Sequence, residues 1–175
     1  MGDTLADKIR ILYVEEEVSQ SQVVKDILQD IYSFQVDVAR TYKEAVEAIE
    51  TAVVPYDAYI TDGRFSWGER IEPPKETLAG AQLVRFLRKE KKDTAPITVL
   101  SASPNKEIIE RELSAEGITD IHYLNKPVSD WREYCRMLKM QITANKKPKP
   151  ANPGTIIKDS LGTYIKVGDD YLEGT

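Results

Sequence analysis

Short apolar segments alternate five times along the chain with segments whose apolar residues recur at helical spacing. The short segments are rich in Ile, Val, Leu and Tyr and are bounded by turn residues or polar clusters, which is typical of buried strands. We predict strands over 9–14, 34–39, 56–62, 97–100 and 121–124. Five alternations of strand and helix favour a parallel sheet with right-handed crossovers and helices on both faces.

The helical segments carry start and stop signals. Ser19 is expected to cap the first helix, and Thr41 with Glu44 forms a capping box for the second. Pro104 suits the first turn of the fourth helix, which Gly117 ends. The apolar residues expected to face the core are Val23, Val24, Ile27, Leu28 and Ile31 in the first helix, Ala45, Ala48, Ile49 and Ala52 in the second, Leu83, Val84, Phe86 and Leu87 in the third, Ile108, Ile109 and Leu113 in the fourth, and Trp131, Cys135, Leu138 and Ile142 in the last.

The composition changes near residue 145. Residues 145–154 are rich in Lys and Pro, which predicts an extended linker. Beyond it, two short apolar runs flank the turn signal of residues 159–162, which predicts a β-hairpin. We therefore predict a domain over 7–144, a linker over 145–154 and a hairpin tail over 155–175.

Composition and charge argue against several classes of function and site. A net charge of −5 argues against bulk electrostatic binding to nucleic acid or to an anionic membrane. Cys135 is the only cysteine, so no disulfide within the chain and no cysteine-based metal site is expected. The sequence has no run long enough to span a membrane and no signal-peptide pattern, so a cytoplasmic location is the expectation.

Polar residues that can do chemistry follow four of the predicted strands: Glu15 and Glu16 the first, Asp62 the third, Ser101 the fourth and Lys126 the fifth. Because ligands of open α/β sheets bind beyond the carboxyl ends of the strands, we expect these side chains to line one crevice. Carboxylate oxygens suit Mg²⁺ or Mn²⁺, and Asp62 is a reasonable nucleophile toward phosphorus. Lys126 and Ser101 would contact phosphoryl oxygens.

This order of residues resembles the receiver domain of two-component response regulators. The matching segments are Leu-Tyr-Val-Glu-Glu-Glu at 12–17, Tyr-Asp-Ala-Tyr-Ile-Thr-Asp at 56–62, Pro-Ile-Thr-Val-Leu-Ser-Ala at 96–102 and Tyr-Leu-Asn-Lys-Pro at 123–127. The resemblance covers about residues 7 to 144. It implies a flavodoxin-like α/β fold, that is, a doubly wound five-stranded parallel sheet in the order 2-1-3-4-5.

The resemblance also implies a role for each matching acid. Asp62 would accept a phosphoryl group from a histidine kinase or a phosphotransfer protein. Glu15, Glu16, Asp62 and the backbone carbonyl of Arg64 would hold Mg²⁺. The chain would then act as a phosphorelay switch and not as an enzyme.

The remaining matches imply the switching parts. Lys126 would bind the phosphoryl group and have a cis bond to Pro127, and Ser101 would be the switch hydroxyl with Tyr123 as its aromatic partner. The surface formed by the fourth helix, the fifth strand and the last helix would contact a downstream protein or form homodimers.

Two features depart from the family pattern. Glu16 stands where the family usually has Asp, and its longer side chain shifts the carboxylate of a metal ligand. The connection over 63–77 is long for a compact domain and contains Trp67, so it is a candidate lid, partner contact or cover for local apolar surface.

Alternatives stay open. Lys126 is also explained as the counter-charge of a neighbouring acid. The whole chain is also explained as a pseudo-receiver, that is, a protein-binding module of the same fold that never takes phosphate. A Mg²⁺-dependent phosphohydrolase is disfavoured because Asp62-Gly63-Arg64 lacks a second acid, and no phosphate-binding Gly-rich motif is present. His122, the only histidine, is interpreted as a strand side chain.

The tail has a resemblance of its own. Residues 162–171 look like the opening strands of a LytTR-type DNA-binding domain. The rest of such a domain is absent from the sequence, so DNA binding is not expected. An isolated hairpin is marginal in water, so the tail is expected to dock on another surface.

Overall fold

The computed structural model describes residues 8–69, 77–146, 155–158 and 164–167. The chain divides into two compact units, with the division between Ile142 and Thr143. The first unit contains the sheet and the candidate chemistry.

A five-stranded parallel sheet in the order β2-β1-β3-β4-β5 forms the centre of the first unit. Its strands are β1 Arg10–Val14, β2 Gln35–Ala39, β3 Ala58–Asp62, β4 Ile97–Leu100 and β5 His122–Leu124. The inner strands β1, β3 and β4 are buried almost throughout, as expected for strands that are covered on both faces. The predicted fold class and strand order are confirmed.

The register of the strands brings the candidate site residues to one edge of the sheet. Val14 of β1 lies opposite Thr61 of β3, and Asp62 lies opposite Leu100 of β4. Leu100 in turn lies opposite Leu124 of β5. The residues that follow these strands therefore emerge together at the carboxyl edge.

Within the described ranges, five helices cover the two faces of the sheet: α1 Val18–Asp26, α2 Tyr42–Thr51, α3 Ala79–Arg85, α4 Asn105–Ala115 and α5 Trp131–Lys146. Helices α1 and α3 each continue into a π-helical turn, Ile27–Ile31 and Phe86–Glu90. One apolar cluster joins α2, α3 and α4 to the sheet, and a second cluster joins α1 and α5 to it. The sheet is therefore doubly wound.

The predicted start of α2 is confirmed. Thr41 Oγ1 accepts a hydrogen bond from the Glu44 N–H at 3.0 Å, and Glu44 Oε1 accepts one from the Arg40 N–H at 3.0 Å. Gly117 follows α4 with φ of +83°, a conformation in which glycine is favoured. Pro104, expected in the first turn of α4, instead immediately precedes the helix.

The predicted cap of α1 is wrong. The helix begins at Val18, and the Ser19 hydroxyl donates to Glu17 Oε2 at 2.7 Å instead of accepting from the backbone. Val23 and Ile31 were expected in the core but are 59% and 63% exposed. The helix turns its Val24 and Leu28 side inward, which leaves these two on the outer face.

The second unit contains an antiparallel pair of strands, β6 Thr155–Lys158 and β7 Tyr164–Val167. Thr155 lies opposite Val167, and Lys158 lies opposite Tyr164. Residues 145 and 146 of the predicted linker belong to α5, and residues 147–154 lie outside the described part of the chain.

Candidate functional site

Lys126 joins the ends of three strands at the carboxyl edge of the sheet. Its Nζ donates to Asp62 Oδ2 at 3.0 Å and to Glu15 Oε1 at 2.8 Å. The Asp62 and Glu15 side chains are only 13% and 4% exposed. The structure thus brings together three residues that the sequence separates widely. Two carboxylates share one ammonium, so the cluster has an excess of negative charge.

Backbone and hydroxyl donors fix the two carboxylates further. Asp62 Oδ1 accepts from the Gly63 N–H at 2.7 Å. Glu15 Oε2 accepts from the Glu17 N–H at 3.2 Å, and its Oε1 lies 3.5 Å from the Tyr13 hydroxyl. These donors hold the acids in place and partly offset the cost of burying their charge.

Burial and charge act in opposite directions on this cluster. Burial raises the pKa of Asp62 above its ordinary value, and the contact with Lys126 lowers it without cancelling the effect of burial. Repulsion from Glu15 raises this pKa further, and the Gly63 N–H lowers it. Burial alone would lower the pKa of Lys126, but its hydrogen bonds to Glu15 and Asp62 outweigh burial and raise that pKa. The charged lysine is therefore the stable partner of the pair of acids.

Ser101 lies beside the turn that follows Asp62. It is 3% exposed, and among the described residues its Oγ makes only a long 3.4 Å contact, with the Ala102 carbonyl. A Cβ at Gly63 would lie 2.7 Å from this hydroxyl oxygen. Gly63 therefore allows the turn to pass close to Ser101.

Gly80, near the start of α3, was not identified as a site residue from the sequence. Its N–H donates to the Gly63 carbonyl at 3.1 Å, and an added Cβ would lie 2.6 Å from the Asp62 carbonyl oxygen. The helix therefore packs its backbone directly on the segment that carries Asp62. The available signal was a glycine just before the apolar stripe that begins at Leu83.

Tyr13 was also missed. It is fully buried in β1 and its hydroxyl faces the Glu15 carboxylate, and burial followed by repulsion from Glu15 and Asp62 raises its pKa. An aromatic residue within the apolar run of β1 gave no sign that its hydroxyl would lie beside an acid.

Glu16 has a hydrogen-bond partner outside the cluster of Glu15, Asp62 and Lys126. It is exposed, and its Oε1 accepts from the Ser66 backbone N–H at 2.9 Å. The adjacent glutamates therefore have different partners.

The loop that contains Ser66 also packs against α2. The Ser66 carbonyl accepts from the Tyr42 N–H at 2.9 Å, and the Trp67 carbonyl accepts from the Lys43 N–H at 3.1 Å. The Trp67 and Tyr42 rings lie 5.0 Å apart. Trp67 thus covers local apolar surface, whereas residues 70–76 of the same connection lie outside the described part of the chain.

The described residues place the acids that the resemblance assigns to a cation with two different partners. Among the described residues, no three Asp, Glu, His or Cys side chains are grouped as a metal ion would require. Glu16 is engaged with Ser66, and Lys126 occupies the space between Glu15 and Asp62. Lys126 is thus the partner of two of the predicted ligands, Ser66 is the partner of the third, and the Mg²⁺ site stays a prediction.

Three further residues or bonds that the sequence singled out lie on β5 or just after it. The Lys126–Pro127 bond is cis, as predicted. The Tyr123 hydroxyl is buried and has no hydrogen-bond partner among the described residues, and burial with nearby Glu110 and Asp120 raises its pKa to about 12. His122 stacks on Tyr134 with ring centroids 5.9 Å apart, and burial lowers its pKa.

Comparison with known proteins relates the fold to solved structures. No protein-family model and no curated protein sequence matches the chain. Among solved structures it is similar to the Francisella response regulator 1452 receiver domain, with a TM-score of 0.60, 20% identity and coverage of 79% of this chain and 100% of the other. It is also similar to a receiver domain protein from Clostridium thermocellum, with a TM-score of 0.60, 20% identity and coverage of 79% and 97%.

A third similar structure is a two-component response regulator from Clostridium difficile, with a TM-score of 0.61, 19% identity and coverage of 80% of this chain and all of the other. These comparisons give no support to the resemblance between the tail and LytTR-type domains. Across the described ranges, no helix is long and apolar enough to cross a membrane. The chain has the fold of response regulator receiver domains.

Proposed function

We propose that the chain is a receiver module of phosphorelay signalling and that Asp62 accepts the phosphoryl group. The observation that carries the proposal is the contact of one ammonium, Lys126, with both Asp62 and Glu15 at the carboxyl edge of a receiver-type sheet. This is the edge at which ligands of open α/β sheets bind. The donor would be a phosphohistidine of a histidine kinase or of a phosphotransfer protein.

The transfer moves one phosphoryl group between two nucleophiles. An oxygen of the Asp62 carboxylate forms a bond to phosphorus while the P–N bond of phosphohistidine breaks, and the released imidazole takes a proton from solvent. Lys126 supplies positive charge where negative charge accumulates on the phosphoryl oxygens. Because the product remains on Asp62, the chain undergoes a single transfer and is not a turnover enzyme.

The state of Asp62 would be reported through Ser101 and Tyr123. The Ser101 hydroxyl has only one long contact, and the Tyr123 hydroxyl has no partner within the described ranges. Both groups are therefore free to form a better hydrogen bond when a phosphoryl group arrives. The surface of α4, β5 and α5 would then contact a downstream protein or a second copy of the chain.

The proposal is tested by phosphorylation with acetyl phosphate, read as the gain of one phosphoryl mass on the intact protein. Asp62→Asn should abolish the gain. Asp57→Asn, at the opposite end of β3, should keep it. The measurement is made with and without Mg²⁺, because the dependence of phosphorylation on this ion stays a prediction.

A pseudo-receiver is the second candidate, and one observation favours it. Glu16 binds the Ser66 amide instead of completing an acidic cluster. If acetyl phosphate gives no mass gain that depends on Asp62, with or without Mg²⁺, the chain is a phosphorylation-independent protein-binding module. Repeated turnover of a phosphoester would instead indicate a phosphohydrolase.

A further inference from the structure

The two glutamates that follow β1 have different hydrogen-bond partners. Glu15 is buried and binds Lys126, whereas Glu16 is exposed and accepts from the Ser66 N–H at 2.9 Å. We infer that Glu16 is a positioning residue that anchors the loop after Asp62 and is not a cation ligand. This inference goes beyond phosphate acceptance, because it holds whether or not Asp62 is phosphorylated.

The anchored segment is the strap, defined as residues 64–68. In the middle of the strap, the Ser66 N–H donates to Glu16. The carbonyls of Ser66 and Trp67 accept from the N–H groups of Tyr42 and Lys43. These two N–H groups belong to the first turn of α2 and have no partner inside the helix, so the strap satisfies donors that would otherwise need water.

Close packing confirms that the strap is fitted to α2. Gly68 has φ of +100°, and a Cβ there would lie 3.0 Å from Lys43 Cβ and 3.2 Å from Thr41 Oγ1. Trp67 covers the Tyr42 ring at 5.0 Å. The strap therefore links the end of β1 to the start of α2 by directional contacts on both sides.

Glu16 influences the site through the backbone that joins Asp62 to the strap. Only Gly63 separates Asp62 from the strap, so the direction in which the backbone leaves Asp62 depends on where the strap is held. Because Glu16 Oε1 is held by the Ser66 amide, the position of the Glu16 carboxylate is set by the strap. A cation could use Glu16 only where this anchored carboxylate reaches.

The first experiment measures the strap. In a Trp131→Phe background, Trp67 is the only tryptophan, and its quenching by acrylamide reports the exposure of the strap. We expect Glu16→Ala to increase quenching and to speed hydrogen exchange of the Ser66 amide by about tenfold, the effect of losing one hydrogen bond. Glu16→Gln keeps a carbonyl acceptor and should restore both values. Glu17→Ala, at the neighbouring exposed acid, should change neither.

Gly68→Ala tests the C-terminal end of the strap. It should also expose Trp67, because the added Cβ meets the Lys43 side chain. Gly117→Ala is the matched control, since Gly117 has φ of +83° but no atom within 4 Å of an added Cβ. That control should leave Trp67 quenching unchanged.

The second experiment measures cation binding by calorimetry with Mg²⁺ and with Mn²⁺. We expect Glu16→Gln to leave the affinity for either ion unchanged within about twofold, because a residue that is not a ligand contributes little to the site. The inference is overturned if Glu16→Gln lowers the affinity by about tenfold or more. It is also overturned if Glu16→Ala leaves Ser66 exchange and Trp67 quenching as they were. Neither result depends on whether Asp62 accepts phosphate, which the mass measurement decides separately.

Discussion

The Lys126 ammonium lies 3.0 Å from Asp62 Oδ2, although 64 residues separate the two in the chain. The same ammonium lies 2.8 Å from Glu15 Oε1. Both acidic side chains are mostly shielded from water. The positive charge of Lys126 is therefore the main interaction that stabilises the two carboxylates in their ionised form.

Lys126→Met should destabilise the fold strongly at neutral pH. It leaves the Glu15 and Asp62 carboxylates buried without their cation, and losing one partner of a buried pair costs about 3 to 5 kcal/mol. Urea unfolding at pH 7 measures the loss. The double variant Lys126→Met with Asp62→Asn should recover part of it, because one unpaired charge is then removed. A loss below about 1 kcal/mol would mean that water already screens the cluster.

Asp62→Asn should raise the stability of the unphosphorylated protein at pH 7. Burial raises the pKa of Asp62, so its ionisation costs free energy of folding. The stability that Asp62 contributes is present below its ordinary pKa of 3.8 and is lost as the pH rises through the raised value. The advantage of Asn should therefore appear above that range and fade in acid.

Thermal unfolding at several pH values tests this sign. Asp30→Asn, which changes an exposed acid on the π-helical turn after α1, serves as the control and should show no such crossover. A lower midpoint for Asp62→Asn at pH 7 would show that the attraction to Lys126 outweighs the burial of Asp62.

Gly80→Ala should both destabilise the fold and disturb the site. Its Cβ would lie 2.6 Å from the Asp62 carbonyl oxygen and 2.8 Å from Gly63 Cα, which are backbone atoms that cannot rotate away. We expect a cost of about 2 to 3 kcal/mol in urea unfolding, typical of an overpacked core. Amide chemical shifts at Asp62 and Gly63 should move as well. Gly117→Ala meets no atom, so it should cost about 1 kcal/mol from its positive φ alone and leave those shifts in place.

Tyr123→Phe should be neutral or stabilising, because it removes a buried hydroxyl that lacks a partner within the described ranges. Tyr134→Phe provides the contrast, since the Tyr134 hydroxyl lies 2.6 Å from Thr98 Oγ1 in the core. Its removal should cost about 1 kcal/mol in chemical denaturation. Equal losses for the two variants would show that Tyr123 has a hydrogen-bond partner in solution.

The helix boundaries show where sequence patterns are sufficient and where they fail. Thr41 with Glu44 caps α2 as predicted, because both partners lie within one turn and need no tertiary contact. Ser19 fails as a cap because Glu17 lies close enough to take its hydroxyl. Val23 fits the helical spacing but is exposed, since the rotation of α1 about its axis is fixed by packing on the sheet.

Within the site, the two glutamates after β1 also show what sequence patterns predict and what packing decides. Strand order placed Glu15 and Glu16 at the edge that also carries Asp62, and the structure confirms that edge. Sequence gave no reason to assign the adjacent acids to different partners. The choice depends on where Ser66 lies, and that follows from a loop packed against α2.

The sequence alone determined the alternation of strands and helices and the residues at the carboxyl edge, because both depend on local periodicity and on the common direction of parallel strands. The tertiary structure alone decided which side chains touch. Lys126 bridges Asp62 and Glu15, Gly80 packs on the backbone of Asp62, and Glu16 holds Ser66. These contacts join residues far apart in the chain, and their geometry is set by close packing of the whole domain, which no local pattern encodes.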